Sequence, residues 1–173
     1  MGKIISLLRE GEPKMRKELK TIETSDIKVE EVKKDKLYKI RVKGLENPIR
    51  VLVDERLSKE RTFVSPLGIK VTAIGGTYYD VAKRTIRIPR EGISKAAFGH
   101  ELGHAFLQHG ETGEVDKKFI REELEAEYWA YDAGFPRRRW KIKELKLLAK
   151  DVGITEEEFK ELEEEVRKRL YEK

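Results

Sequence analysis

The sequence predicts an α+β fold in which the strands come first and the helices follow. Short stretches rich in β-branched residues, such as LYKIRVK (37–43) and IRVLV (49–53), are separated by turn residues at Gly44 and Asn47-Pro48. From Ser94 onward, apolar residues instead recur at helical spacing. We therefore expect a small mixed or antiparallel sheet packed on a pair of helices, followed by a C-terminal helical hairpin.

The individual elements follow from the same two patterns. An N-terminal helix is expected over 3–22, with an interruption around Gly11 to Pro13. GIKVTAI (68–74) predicts another strand, and TYYDV with TIRI within 77–88 predicts a hairpin. Helices are expected at about 95–109, 116–133 and 139–150, and after Thr155.

Several residues mark where these helices begin and end. Ser94 is the expected N-cap of the first helix and Gly110 its expected C′ residue. Gly134 and Pro136 end the second helix. Thr155 and Glu158 form a capping box for the last helix. The apolar stripe of that helix consists of Phe159, Leu162, Val166 and Leu170.

Composition excludes several classes of protein. The chain of 173 residues has no cysteine, which excludes disulfide scaffolds and thiolate metal sites. Charged residues make up 41% of it, but Lys and Glu are interspersed and the net charge is only +5. This pattern is typical of a solvated, thermophile-type surface, whereas a nucleic-acid binder would segregate its positive charge. With no apolar run of bilayer length, we expect a cytoplasmic protein that contacts no membrane.

The stretch FGHELGHAFLQHG (98–110) contains all three histidines of the chain. On a helix, His100 and His104 lie one turn apart on the same face and can converge on one zinc ion. Glu101 is rotated by about 100° around the axis, so it is poorly placed as a ligand but can hold a water molecule beside the metal. Zinc hydrolases use this arrangement, with the carboxylate as the proton carrier.

Two further features of this helix bear on the hypothesis. Gly99 and Gly103 each weaken a helix by about 1 kcal/mol relative to alanine, and their spacing predicts close approach of another element. His109 lies about 140° around the axis from His104 on a continued helix, so we reject it as a ligand. It is expected to cap the helix C-terminus or to border the cleft.

The third ligand is expected on the second helix. Glu123, Ala126, Glu127 and Ala130 share an acidic, small face that suits contact with a metal-bearing helix. We assign Glu123 as the third ligand and Glu127 as the hydrogen-bond acceptor of a ligating histidine. Glu125 and Glu127 are the alternatives for the ligand position. Glu122 and Glu125 are otherwise interpreted as solvated charges.

HELGH (100–104), followed by Glu123, Ala126, Trp129-Ala130 and Pro136, resembles the ImmA/IrrE-type metallopeptidases of the gluzincin group. Glu127 departs from the family pattern, which has Asn or Asp there. The 18 residues between His104 and Glu123 are closer to the spacing of thermolysin-like enzymes and of small archaeal minigluzincins. The resemblance covers about 68–136. It divides the chain into an N-terminal part (1–60) of unassigned role, a catalytic core (61–136) and a C-terminal hairpin (137–173).

The resemblance implies a zinc-dependent endopeptidase that acts through a zinc-bound water. Zn2+ would be held by His100, His104 and Glu123, with Glu101 as general base and then acid. Tyr78, Tyr79, Tyr131 or His109 would contact the substrate or the oxyanion. A substrate strand would pair with an edge strand at TYYDV or TIRIP. The implied partner is a protein or peptide substrate, and relatives of this type cleave transcriptional repressors.

Three other hypotheses concern function and regulation. The cluster Arg137 to Trp140 and the helices after it could bind DNA, although seven glutamates in 156–165 would repel phosphate. The motif could instead belong to a zinc-binding scaffold or sensor with little catalytic activity. A peptidase could be regulatory and latent, its cleft covered by a terminal segment. The sequence does not identify an oligomeric state.

Overall fold

A computed structural model of the protein describes residues 19–58, 60–64, 70–74, 77–90, 92–110 and 114–171. The chain forms two compact units, 1–98 and 99–173. The predicted α+β class is confirmed, because a five-stranded mixed sheet precedes the helices. Most of the predicted N-terminal helix lies outside the described residues, and Leu19–Ile22 form a short 3-10 turn. The predicted boundaries at residues 60 and 136 stay predictions.

Seven strands are described in the first unit. Their bounds are β1 Ile27–Lys33, β2 Leu37–Val42, β3 Ile49–Val53, β4 Glu60–Val64, β5 Lys70–Ile74, β6 Tyr78–Asp80 and β7 Thr85–Ile88. The large sheet has the order β1-β2-β3-β7-β6, with β3 and β7 parallel and all other neighbours antiparallel. Strands β4 and β5 form a separate antiparallel ladder.

The sheet order corrects one expectation about the edge strands. β7, which contains TIRI, pairs with β3 on one side and with β6 on the other, so it is not an edge. β6 is at the end of the described sheet. The predicted hairpin of β6 and β7 is confirmed. β1 and β4 were not predicted, because the charged sequences IKVEEVK and ERTFV lack a sustained apolar alternation.

The large sheet buries one apolar face, and beside it lies an ion-pair cluster in which Asp54 and Arg87 are buried and Arg56 is exposed. Alternating residues along β2 and β3, among them Ile40, Ile49 and Val51, are fully buried. The parallel pairing of β3 with β7 brings Arg87 beside Asp54, the residue that follows β3. Arg87 Nη1 donates to Asp54 Oδ2 at 3.0 Å, and Arg56 Nη2 donates to the same oxygen at 2.9 Å. Hydrogen bonds from Arg56, opposed by burial, hold the pKa of Asp54 well below its usual range.

Four helices follow in the part of the chain that the structure describes. They are α1 Lys95–Phe106, α2 Lys117–Asp132, α3 Arg139–Asp151 and α4 Glu156–Tyr171. The Ser94 cap is confirmed, since Ala97 N–H donates to its Oγ at 3.1 Å. The capping box is also confirmed by reciprocal bonds between Thr155 and Glu158. The expected C′ role of Gly110 is wrong, because α1 ends at Phe106 and Gln108 adopts the left-handed conformation (φ 57°).

The helices of the second unit share one apolar core. Ile120, Leu124 and Tyr128 of α2 pack against residues of α3 and α4, namely Leu145, Ala149, Phe159, Leu162 and Val166. The Tyr128 hydroxyl donates to Glu163 Oε2 at 2.6 Å. The predicted C-terminal hairpin and the apolar stripe of its last helix are therefore confirmed. No helix in the described ranges is long and apolar enough to cross a bilayer.

Candidate metal centre

The two histidines of the HExxH stretch meet at their Nε2 atoms. His100 and His104 lie one turn apart on α1, and their rings are nearly perpendicular with centroids 4.6 Å apart. The two Nε2 atoms are 3.0 Å apart. The His100 ring is buried and the His104 ring is mostly buried. The helix therefore presents two ring nitrogens at one point, as the spacing predicts.

Glu123 of α2 completes a group of three. Its Oε2 lies 2.5 Å from His100 Nε2 and 3.0 Å from His104 Nε2. His100, His104 and Glu123 thus form a group that could hold a metal ion. Ligand atoms 2.0–2.1 Å from one tetrahedral zinc ion are about 3.3–3.4 Å from each other. Two of the observed separations are about 0.3–0.4 Å shorter and the His100–Glu123 separation is about 0.8–0.9 Å shorter, so the three side chains would have to move apart to admit such an ion.

Two glycines of α1 allow the close approach of its neighbours. A Cβ at Gly103 would lie 2.6 Å from the Ala126 carbonyl oxygen, and a Cβ at Gly99 would overlap the Phe135 ring. This is the close approach that the spacing of the two glycines predicts. Because Ala126 is three residues after Glu123, the same contact sets how far the Glu123 carboxylate reaches toward the imidazoles.

The outer nitrogen of His100 is fixed by a buried carboxylate. Glu127, only 1% exposed, accepts a hydrogen bond from His100 Nδ1 at 2.8 Å. Arg138 donates two hydrogen bonds to the same carboxylate, from Nη2 to Oε1 at 2.5 Å and from Nε to Oε2 at 3.1 Å. An ionised carboxylate only accepts, so the proton of His100 is on Nδ1 and a neutral ring points a lone pair toward Glu123. Two acceptors at this distance need a positive charge between them, which is either a second proton on His100 or a metal ion.

The electrostatics of the metal-free protein agree with this requirement. Burial lowers the pKa of His100, but the charge and hydrogen bond of Glu123, followed by Glu127 and Glu101, raise it to about 9 overall. Burial raises the pKa of Glu123, yet His100 and His104 hold it well below its usual range. For Glu127, burial is likewise outweighed by His100 and Arg138, which bring its pKa to about 2. The site therefore favours positive charge at its centre.

The outer nitrogen of His104 faces His109, which the sequence did not predict as a ligand. His104 Nδ1 lies 2.9 Å from His109 Nδ1, and the two ring centroids are 5.1 Å apart. On its far side, His109 Nε2 is 3.6 Å from Glu125 Oε1. The rejection of His109 assumed a helix continuing to residue 109, whereas the chain reverses at Gln108. Glu125, interpreted from sequence as a solvated charge, is mostly buried beside this ring.

Glu101 lies on α1 between the two histidines and is half-buried. Among the described residues its carboxylate makes no hydrogen bond and no ion pair. It thus remains available to a substrate or to water, which is the requirement for a proton carrier. Glu122, one residue before Glu123, is also half-buried but is not part of the metal-binding group.

The tyrosines proposed for the oxyanion occupy different environments. Tyr131 is engaged through its hydroxyl, which donates to the Arg138 carbonyl and accepts from the Arg138 N–H, each at 3.1 Å. Burial and the nearby Glu127 charge raise its pKa. Tyr78 and Tyr79 lie on β6 in the first unit, where Tyr78 is exposed. Burial raises the pKa of Tyr79. Their role in the reaction stays a prediction.

The role of Arg138 and the contacts of His109 with His104 and Glu125 are the parts of this centre that the sequence did not predict. Arg138 lies within a run of three arginines, and nothing in that run distinguishes the buried member from its exposed neighbours. His109 carried a signal, since it is one of only three histidines in the chain and is close to the motif.

Comparisons with family models, with curated proteins and with solved structures each found no match.

Proposed function

We propose that the chain is a zinc-dependent metallopeptidase whose metal is held by His100, His104 and Glu123. The observation that carries the proposal is the convergence of two imidazole nitrogens and one carboxylate oxygen within 3.0 Å of one another. Two imidazoles and one carboxylate are a donor set that zinc hydrolases use, and the absence of cysteine leaves no softer donors. The side chains of His104 and Glu123 are each 16% exposed, so the group is reached by solvent from their side.

The surrounding residues supply what a hydrolytic site needs from its protein. When bound, zinc acts as a Lewis acid that acidifies water and polarises a peptide carbonyl. Glu127 and Arg138 hold the His100 ring, so its Nε2 lone pair stays directed into the site. Because Glu123 comes from a second helix, the ligand set depends on the packing of α2 against Gly103.

Glu101 is the proposed proton carrier. Its carboxylate takes a proton from the attacking water, whose oxygen forms the new bond to the peptide carbonyl carbon. The same proton then goes to the leaving amine nitrogen as the carbon–nitrogen bond breaks. The products are a carboxylic acid and an amine, and Glu101 is left ionised again. Glu101 suits this task because it neighbours His100 but points off the ligand face by about 100°.

The experiment compares metal content and cleavage in matched variants. Wild type, Glu101→Gln and the control Glu122→Gln are loaded with zinc, and cleavage of fluorescein-labelled casein is followed with and without a chelator. We expect one zinc per chain in all three, chelator-sensitive cleavage by wild type and the control, and a loss of about 10²–10⁴-fold in Glu101→Gln. A zinc-loaded wild type that leaves casein intact, or equal cleavage by Glu101→Gln, would refute the peptidase and favour a zinc-binding scaffold.

A further inference from the structure

The chain reversal after α1 returns His109 to the metal-binding group. Gln108 is in the left-handed region (φ 57°), and the next residue, His109, donates its backbone N–H to the His104 carbonyl at 3.0 Å. This is a helix-terminating reversal of the kind that usually has glycine at the left-handed position. It places the His109 ring against the outer side of the His104 ring, with the two Nδ1 atoms 2.9 Å apart.

Two facing ring nitrogens at hydrogen-bond distance need one proton between them. Which ring provides this proton depends on the environment of the second ring nitrogen of His109, Nε2. His109 Nε2 faces the Glu125 carboxylate at 3.6 Å, longer than a hydrogen bond but close enough for the charge to favour an N–H over a lone pair. A neutral His109 therefore carries its proton on Nε2 and presents a lone pair at Nδ1.

The consequence for His104 follows directly. With a lone pair on His109 Nδ1, the proton between the rings belongs to His104 Nδ1, and His104 Nε2 is left as a lone pair. That nitrogen faces Glu123 and His100 inside the metal-binding group. If the bond ran the other way, His104 Nε2 would carry a proton into the centre and could not bind a metal.

We propose that His109, backed by Glu125, is a positioning residue that fixes the metal-binding tautomer and the ring orientation of His104. This inference rests on the proposed metal centre but concerns residues outside its ligand set. Each imidazole then has its own support: Glu127 and Arg138 hold His100, while His109 and Glu125 hold His104. Both carboxylates belong to α2, so the helix that supplies the third ligand also orients the other two.

Matched substitutions of His109 separate hydrogen bonding from packing. His109→Phe keeps an aromatic ring but removes the acceptor, whereas His109→Asn has an amide oxygen at the branch position of Nδ1. Zinc affinity is measured by competition with a chromophoric chelator, and the unfolding free energy of each metal-free variant is measured alongside. We expect His109→Phe to bind zinc about 10–100-fold more weakly than wild type and His109→Asn to retain most of the affinity. Equal affinity of wild type and His109→Phe, or equal weakening in both variants, would overturn the proposal.

A spectroscopic measurement tests the direction of the hydrogen bond itself. Long-range proton–nitrogen correlation spectra of the zinc-loaded protein report which ring nitrogen of each histidine carries a proton. We expect His109 to be protonated at Nε2 and His104 at Nδ1; a proton on His109 Nδ1 would contradict the inference. These outcomes are distinct from failure of the proposed function. A wild type that binds no zinc removes the metal centre altogether, whereas zinc binding without cleavage removes only the peptidase.

Discussion

Gly103 of α1 and Ala126 of α2 approach so closely that a Cβ on the glycine would lie 2.6 Å from the alanine carbonyl oxygen. The neighbour is rigid helix backbone, so it cannot turn away as a flexible side chain would. His104 follows Gly103 directly, and Glu123 is one turn before Ala126. The distance between the two helices and the geometry of the metal-binding group are therefore set by the same contact.

Gly103→Ala is expected to disrupt both the packing of α1 against α2 and the geometry of the metal-binding group. Alanine would favour the isolated helix by about 1 kcal/mol, but the collision forces the helices apart at a cost typical of overpacking, about 1–3 kcal/mol. Zinc affinity should fall together with the unfolding free energy. Gly110→Ala is the matched control, because a Cβ there meets nothing within 4 Å. Unaltered zinc binding in Gly103→Ala would mean that the close contact does not position the ligands.

Arg138 is expected to be essential for folding stability, in contrast to its exposed neighbour Arg139. Arg138 and Glu127 are 4% and 1% exposed, and Glu127 also bonds to His100. Arg138→Met would leave the buried Glu127 carboxylate without its arginine partner, which costs about 3–5 kcal/mol. Urea denaturation of Arg138→Met and of the control Arg139→Met measures the difference. Similar stabilities of the two variants would show that the buried pair is not needed.

Zinc is expected to stabilise the folded chain. An ion that binds the folded state at 100 times its dissociation constant adds about 2.7 kcal/mol to the unfolding free energy. Thermal unfolding with zinc and with excess chelator should show this difference in wild type and in Glu122→Gln. Glu123→Gln replaces a carboxylate by an amide, which is a weak zinc ligand. In this variant most of the difference between unfolding with zinc and with chelator should disappear. An equal zinc effect in Glu123→Gln would exclude Glu123 as a ligand.

The Asp54 cluster predicts a pH dependence of stability for the sheet unit. The folded-state pKa of Asp54 is depressed by its arginine partners, so its contribution to stability is present above its unfolded pKa and is lost as the pH falls below about 4. Asp54→Asn should lower stability at pH 6 and make stability less dependent on pH in the acid range. The exposed Asp26→Asn serves as control. Parallel acid profiles for wild type and Asp54→Asn would contradict the assignment.

Sequence patterns predicted those parts of the fold that depend on local periodicity. The α+β class, strands β2 and β3, the hairpin of β6 and β7 and the caps at Ser94 and Thr155 each rest on neighbouring residues. β1 was missed because charged residues interrupt its alternation, and burial alternates only at its start. The end of α1 was misplaced because Gly110 was expected as the left-handed C′ residue, whereas Gln108 takes that conformation two residues earlier.

In the candidate site, too, the sequence predicted the residues that follow helical spacing and not those brought in by tertiary contacts. His100, His104 and Glu123 could be named from helical spacing, and they converge. The residues that orient these ligands could not all be identified from helical spacing. His109 reaches His104 only through a non-helical reversal, and the burial of Arg138 against Glu127 is a tertiary contact between α2 and the start of α3. Such contacts leave no periodic signal in the sequence.

The proposed function depends on one ion binding between His100, His104 and Glu123. Anomalous scattering at the zinc edge, from crystals of the zinc-loaded protein, measures this directly. We expect a single peak about 2.0–2.1 Å from His100 Nε2, His104 Nε2 and one Glu123 oxygen. A peak elsewhere, or bare imidazoles with Glu123 turned to solvent in excess zinc, would exclude this metal site.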